Sequence, residues 1–145
     1  MDRIDRPGLG VRIIWLDDDM IELESTLNYR GFRGTSTCYC TSEDVTTFAS
    51  ALSQLANTAE GIALFDAGLS DGSKRIALRA YTTDLSGHLA VHVSLATDAF
   101  SRRPESIWRI EVEMKTESWS VSRFAEQLES IAKTRQGYAF LPTVD

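Results

Sequence analysis

Residues 11–19, VRIIWLDDD, decide the predicted fold, because they read as a buried strand that ends in an acidic turn. Residues 11–16 form a short run of mostly β-branched and aromatic apolar side chains, which is typical of a strand buried on both faces of a sheet. The run ends in three consecutive acids. A helix is predicted next, because apolar residues recur there at spacings of three and four. Gly31 would end this helix. The recurring apolar residues are Met20, Leu23 and Leu27.

Further along the chain, apolar runs alternate with helical patterns. The sequence predicts strands at residues 35–41, 62–65, 89–96 and 110–114, the last of them a half-exposed edge strand. It predicts helices at 42–60, at 73–85 and from Ser118 or Ser120 to beyond Ile131, and only a short helix between 97 and 106. Strands that alternate with helices favour right-handed crossovers. We therefore expect an α/β fold with a five-stranded parallel sheet flanked by helices on both faces.

Length and charge narrow the class of protein. The chain has 145 residues, a net charge of −6 and a predicted pI near 4.9, which argues against a nucleic-acid binder. Because we find neither a signal peptide nor a membrane-spanning run, we expect a soluble, cytoplasmic protein. One domain is expected over residues 11–135, between tails at 1–10 and 136–145. Cys38 and Cys40 would lie on one side of a strand as small core residues.

Acidic residues follow two of the predicted strands. Asp17 and Asp18 come after the first strand, and Asp66 comes after the strand at 62–65. Ligands of open parallel sheets bind at the carboxyl ends of the strands, so these carboxylates would converge and repel one another without a cation. Mg²⁺ prefers oxygen ligands, and the backbone carbonyl of Gly68 would add one more. The sequence therefore predicts a magnesium site.

The same edge of the predicted sheet would carry groups suited to phosphoryl transfer. Asp66 stands alone after its strand and faces the acidic pair, so it is the candidate nucleophile for forming an acyl phosphate. Lys115 would neutralise one phosphoryl oxygen, and a hydroxyl, from Ser94 or alternatively Thr97, would hydrogen-bond another.

This constellation resembles the CheY-like receiver domains of two-component response regulators, in an atypical form. The matches are the acidic pair after the first strand, Asp66 after the third and Lys115 after the fifth. The resemblance covers about Val11 to Arg135. It implies a flavodoxin-like strand order 2-1-3-4-5 and a fourth helix that is short or remodelled. It also implies phosphorylation of Asp66, with Mg²⁺, by a sensor histidine kinase or phosphotransfer protein.

The resemblance implies a signalling function and leaves two other functions open. In the first interpretation the protein is not an enzyme, and phosphorylation switches its contacts with a downstream protein partner or in a homodimer. The alternative is a pseudo-receiver that is never phosphorylated and acts as a protein-docking module, which the absence of an aromatic switch residue favours. The third possible function is a small Mg²⁺-dependent phosphohydrolase with Asp66 as its nucleophile. Such enzymes usually need a general acid two residues after the nucleophile, and Gly68 occupies that position. None of the three requires a membrane.

Overall fold

A computed structural model describes residues 6–69, 73–98 and 103–144 of the protein. In its first half, three strands precede a helix and a fourth strand: β1 (Gly8–Leu16), β2 (Ile21–Tyr29), β3 (Phe32–Cys40), α1 (Ser42–Thr58) and β4 (Ile62–Gly68). The second half repeats that order, with a 3-10 turn at Pro104–Ser106 before its third strand. Its elements are β5 (Arg75–Thr82), β6 (Leu89–Asp98), β7 (Ile107–Thr116), α2 (Ser118–Thr134) and β8 (Tyr138–Pro142).

The strands form two four-stranded sheets. The first sheet has the order β3-β2-β1-β8 and the second sheet the order β4-β5-β6-β7. Every strand pair in the described part of the chain is antiparallel. Each half contributes three strands to one sheet, and the strand after its helix joins the sheet of the other half. This exchange ties the two halves into one unit.

The two halves also resemble each other in sequence. Residues 42–61 and 118–137 align without a gap at a separation of 76 residues (118 − 42). Ala59 and Arg135 end the two helices in the left-handed conformation, at φ 55° and φ 58°. A glycine with positive φ follows two residues later in each half, because the chain must turn sharply into the next strand. Eight of the twenty aligned positions are identical: Ser42, Val45, Phe48, Ala49, Leu52, Ala56, Thr58 and Gly61, each with its counterpart.

The core lies between the sheets and the two helices. Helix α1 packs against β4, α2 packs against β8, and the helices pack against each other. The sheets meet along β3, where the Ser36 Oγ donates a hydrogen bond to the Ala96 carbonyl at 2.6 Å. A Cβ at Gly34 would lie 2.9 Å from the Ile110 Cγ2, so a glycine is needed for this close approach.

The expected parallel α/β fold is wrong, and with it the resemblance to receiver domains. The described residues form two antiparallel sheets and two α-helices, so neither the strand order 2-1-3-4-5 nor helices on both faces of one sheet exists there. The expected fourth helix is absent from the described part of its segment, where only the 3-10 turn occurs; residues 99–102 lie outside the described residues.

Two predicted helices are strands. The segment after the acidic turn is β2, whose residues alternate strictly between buried and partly buried positions. Leu23 and Leu27 are four residues apart and therefore fit a period of two as well as a helical period. The predicted helix at 73–85 is β5, where Ile76, Leu78 and Ala80 face the core. Between β2 and β3, Arg30 and Gly31 form a two-residue hairpin turn, with φ 51° and φ 85°.

Other predicted elements are confirmed. Helices α1 and α2 bury the predicted stripes, and the strands predicted at 62–65, 89–96 and 110–114 lie within β4, β6 and β7. Strand β7 is an edge strand. Cys38 and Cys40 are free and buried in the core, and burial raises the pKa of the Cys38 thiol to about 11 and that of Cys40 to about 12. Structure also extends into both expected tails, since β1 begins at Gly8 and β8 spans Tyr138–Pro142.

Candidate functional site

The acidic pair lies in the turn between β1 and β2, at the end of the first sheet. The Asp17 Oδ1 accepts hydrogen bonds from the backbone N–H groups of Asp19 and Met20, at 2.8 and 2.7 Å. These bonds hold the pKa of Asp17 below its usual value. The side chain of Arg135 donates to the Asp17 carbonyl, which ties the turn to the end of α2. Asp17 therefore shapes the turn, and Asp18 is exposed beside it.

Asp66 lies on β4, in the second sheet. Its carboxylate accepts two hydrogen bonds from the guanidinium of Arg75, at 3.0 and 2.7 Å. The hydrogen bond from Arg75 holds the pKa of Asp66 below its usual value. Gly68 occupies the end of the same strand, and a Cβ there would lie 2.3 Å from the Lys74 carbonyl oxygen. The predicted nucleophile is therefore already paired with a cation of the same chain.

The remaining predicted site residues are spread over the second sheet. Ser94 shares a row with Asp66, with Ala77 between them on β5, whereas Lys115 lies opposite Ala90, four residues from Ser94 along β6. Thr97 lies opposite Trp108 near the far end of β6. No group of three or more His, Cys, Asp or Glu in residues 6–69, 73–98 and 103–144 is placed to hold a metal ion. The structure thus places five predicted site residues on one sheet and separates them from the acidic pair; they are Asp66, Gly68, Ser94, Thr97 and Lys115.

A groove of about 620 Å³ crosses the outer face of the first sheet, the face turned away from the core. Its volume falls in the range of small-molecule sites. Strands β1, β2, β3 and β8 form its floor, and Arg6 lies at one side. The polar and aromatic side chains that line it are Arg6, Arg12, Glu24, Thr26, Asn28, Thr35, Tyr138 and Phe140.

Two glycines of β1 shape the groove. A Cβ at Gly8 would lie 2.6 Å from the Phe140 ring, and a Cβ at Gly10 would lie 2.4 Å from the Tyr138 hydroxyl. The two rings can therefore lie down on the β1 backbone only because both positions lack a side chain. They stack on each other at 6.3 Å between centroids and 19° between planes. The result is an aromatic wall beside a polar floor.

The polar groups of the groove favour an anionic ligand. The Arg6 guanidinium lies 4.3 Å from the centroid of the Phe140 ring, a cation–π contact. The Arg12 Nε donates to the Glu24 carboxylate at 2.8 Å, and more than half of the Arg12 side chain is exposed. The hydroxyls of Thr26 and Thr35 lie 3.0 Å apart on the floor. Two guanidinium groups thus line the groove against one carboxylate, in a protein whose net charge is −6.

The groove was missed by the sequence prediction because its residues were assigned to other structures. Gly8 and Gly10 fell in the expected tail, as did Tyr138 and Phe140, while Glu24 and Thr26 fell in a predicted helix. A usable signal was the alternation of glycines at 8 and 10 and of aromatic residues at 138 and 140. Each alternation places its two residues on the same face of a strand.

Comparison with known proteins identifies no relative, since no protein family, curated protein or solved structure matches the chain. Neither α-helix in the described residues combines the length and the apolar character needed to cross a membrane.

Proposed function

We propose that the protein is a non-catalytic binding module whose ligand is a small anionic molecule with a flat ring, bound in the groove of the first sheet. The observation that carries the proposal is the groove itself, in which a glycine floor lets two aromatic rings lie flat beside exposed guanidinium groups. Aromatic faces and a few convergent polar groups are typical of small-molecule sites.

The chemistry of the groove supports binding rather than turnover. Its one carboxylate, Glu24, is engaged by the Arg12 Nε at 2.8 Å, so it already has a partner within the groove. The guanidinium of Arg12 would donate to a carboxylate or phosphate of the ligand, and the Tyr138 ring would pack against the flat ring. The receiver function, with its Mg²⁺ and histidine kinase, rested on the parallel sheet, so we do not propose it.

Paired probes test this function. We expect adenosine monophosphate and 4-hydroxybenzoate to shift amide NMR signals of β1, β2 and β8, and the neutral counterparts adenosine and 4-hydroxybenzamide to bind at least about fivefold more weakly. Arg12→Gln should weaken the anionic probes about tenfold, or about 1.4 kcal/mol, because it removes a charge-assisted hydrogen bond.

Arg79→Gln is the matched control. Arg79 occupies on β5 the position that Arg12 occupies on β1, on the outer face of the other sheet, so its loss should leave probe binding unchanged. Equal affinity for charged and neutral probes, or equal losses from the two substitutions, would contradict the proposal.

A further inference from the structure

The four edge strands of the two sheets differ in how well they are protected from pairing with another chain. Strand β7 alternates charged residues along its outer face, from Arg109 to Lys115. Strand β8 has only five residues, ends in Pro142 and packs against α2. Strand β3 packs across the second sheet. Charges, proline, short length and coverage are the usual protections of an edge.

Among the described residues, strand β4 is the least protected of the four edges, although α1 packs against it as α2 packs against β8. It spans seven residues without Lys or Pro, and its only charged residue, Asp66, is paired with Arg75. Ile62 and Leu64 on its outer face are 65% and 62% exposed. An exposed, apolar edge strand is a template for strand addition.

A groove of about 250 Å³ runs along the edge of β4. It is lined by Asp44 and Thr47 of α1 and by four consecutive residues of β4, from Leu64 to Ala67. Successive side chains of a strand point to opposite faces, so one groove can touch all four residues only if it follows the strand's edge. An extended segment therefore has room beside β4.

The charges around this groove select the segment. Glu43 and Asp44 lie in the first turn of α1, and the lining includes no Lys or Arg. Two carboxylates outweigh the partial positive charge, about +0.5, of the helix N-terminus. A second copy of β4 contains no Lys or Arg, so it would offer no cation to Asp44. The groove therefore favours a basic segment over self-association.

We propose that the edge of β4, together with the groove beside α1, binds an extended segment of a partner protein in which apolar and basic residues alternate. The segment extends the second sheet by backbone hydrogen bonds. Its apolar side chains cover Ile62 and Leu64, and a Lys or Arg faces Asp44. This site is separate from the groove of the first sheet, so either proposal can fail without the other.

The test uses the full chain and fluorescein-labelled peptides of about nine residues. We expect a peptide that alternates Lys and Val to bind saturably by fluorescence anisotropy, with amide NMR shifts in β4 and the first turn of α1. A Glu–Val peptide should bind at least about tenfold more weakly because of charge repulsion. N-methylation of alternate residues, which removes the donors needed for strand addition, should abolish binding.

A pair of variants separates the groove from general charge. Asp44→Asn keeps an oxygen for the bond to the Thr41 backbone N–H at the start of α1 but removes the charge, and it should weaken Lys–Val binding at least about threefold. Glu126→Gln removes the same charge from the exposed side of α2 and should have no effect. Binding that survives N-methylation, shifts confined to the first sheet, equal effects of the two variants, or dimerisation that the peptide does not reverse would each overturn the proposal.

Discussion

The outer faces of the two sheets share one backbone design but differ in what their side chains build. The central row of the first sheet reads Phe140, Gly10, Thr26 and Thr35, and that of the second sheet reads Asp66, Ala77, Ser94 and Glu111. In the first sheet an aromatic ring of β8 lies over Gly8, which leaves a groove. In the second sheet the long side chain is on β5 instead, and Arg75 reaches across Gly68 to Asp66.

The open face has two glycines on its inner strand, Gly8 and Gly10, whereas the filled face has Arg75 and Ala77 on its inner strand. Gly8 and Arg75 are the first residues of the inner strands β1 and β5. Gly8 lies next to Pro142 of the edge strand, and Arg75 lies next to Gly68. A glycine on the inner strand lets the edge strand place rings over it, whereas an arginine there closes the face with an ion pair. The cores of the two halves, by contrast, use nearly the same helix residues.

The largest expected effect tests whether the two cores are equivalent. Phe48 and Phe124 are counterparts in α1 and α2, and both are buried. Replacing either with Ala should lower the free energy of unfolding by about 3–5 kcal/mol, because a large cavity is left. Urea denaturation measures the free energy of unfolding of both variants. Losses that differ by more than about 2 kcal/mol would show that the two cores are not equivalent.

A smaller effect tests the difference between the faces. Gly8→Ala should cost about 2–4 kcal/mol, because the residue has φ 143° and its Cβ would lie 2.3 Å from the Leu141 carbonyl oxygen. Arg75→Ala, at the same position of the second sheet, should cost less than about 1 kcal/mol, since it removes only an exposed ion pair. Thermal unfolding distinguishes the two. Equal losses of stability in the two variants would mean that the first sheet does not require a glycine at position 8.

The smallest effect concerns the ion pair that fills the second face. Because Arg75 lowers the folded-state pKa of Asp66, the pair stabilises the protein above the unfolded carboxyl pKa, about 3.9, and this contribution is lost as the pH falls through the lower folded value. The side chains are nearly half exposed, so the contribution at pH 7 is below about 1 kcal/mol.

Arg75→Met should therefore unfold at slightly lower urea concentration at pH 7. It should differ progressively less from the wild type as the pH falls below about 4, because the Asp66 carboxyl of the unfolded chain is protonated first and that of the folded protein at lower pH. Arg79→Met on the same strand is the control and should show no such convergence. A difference that is constant from pH 7 to pH 3 would show that Arg75 acts through packing alone.

Much of the secondary structure could be predicted from local pattern. The stripes of α1 and α2 have helical spacing that no strand can satisfy, as Val121, Phe124 and Leu128 illustrate. The segment of β2 is ambiguous in the sequence, because Leu23 and Leu27 satisfy both periods; the alternation of Ile21 and Tyr29 with them indicates a strand. The repeat over residues 42–61 and 118–137 was also available in the sequence and would have argued against a receiver fold.

The candidate site could not be predicted in the same way. Asp17, Asp66 and Lys115 each follow an apolar run, but whether such residues meet depends on the direction in which the strands pair. Parallel pairing would have gathered them at one edge, whereas antiparallel pairing sends successive strand ends to opposite edges. The groove shows the same dependence, since Gly10 and Phe140 are 130 residues apart and become neighbours only through pairing of β1 with β8.

The sequence by itself determined the two helices, most of the strands and the burial of Cys38 and Cys40, because side-chain periodicity is a local property that burial imposes on each segment. Only the tertiary structure decided that all strands pair antiparallel and that β4 and β8 exchange between the halves. It also decided that one outer face is open and the other filled. These outcomes depend on contacts between residues distant in the chain, and no single segment encodes its partner.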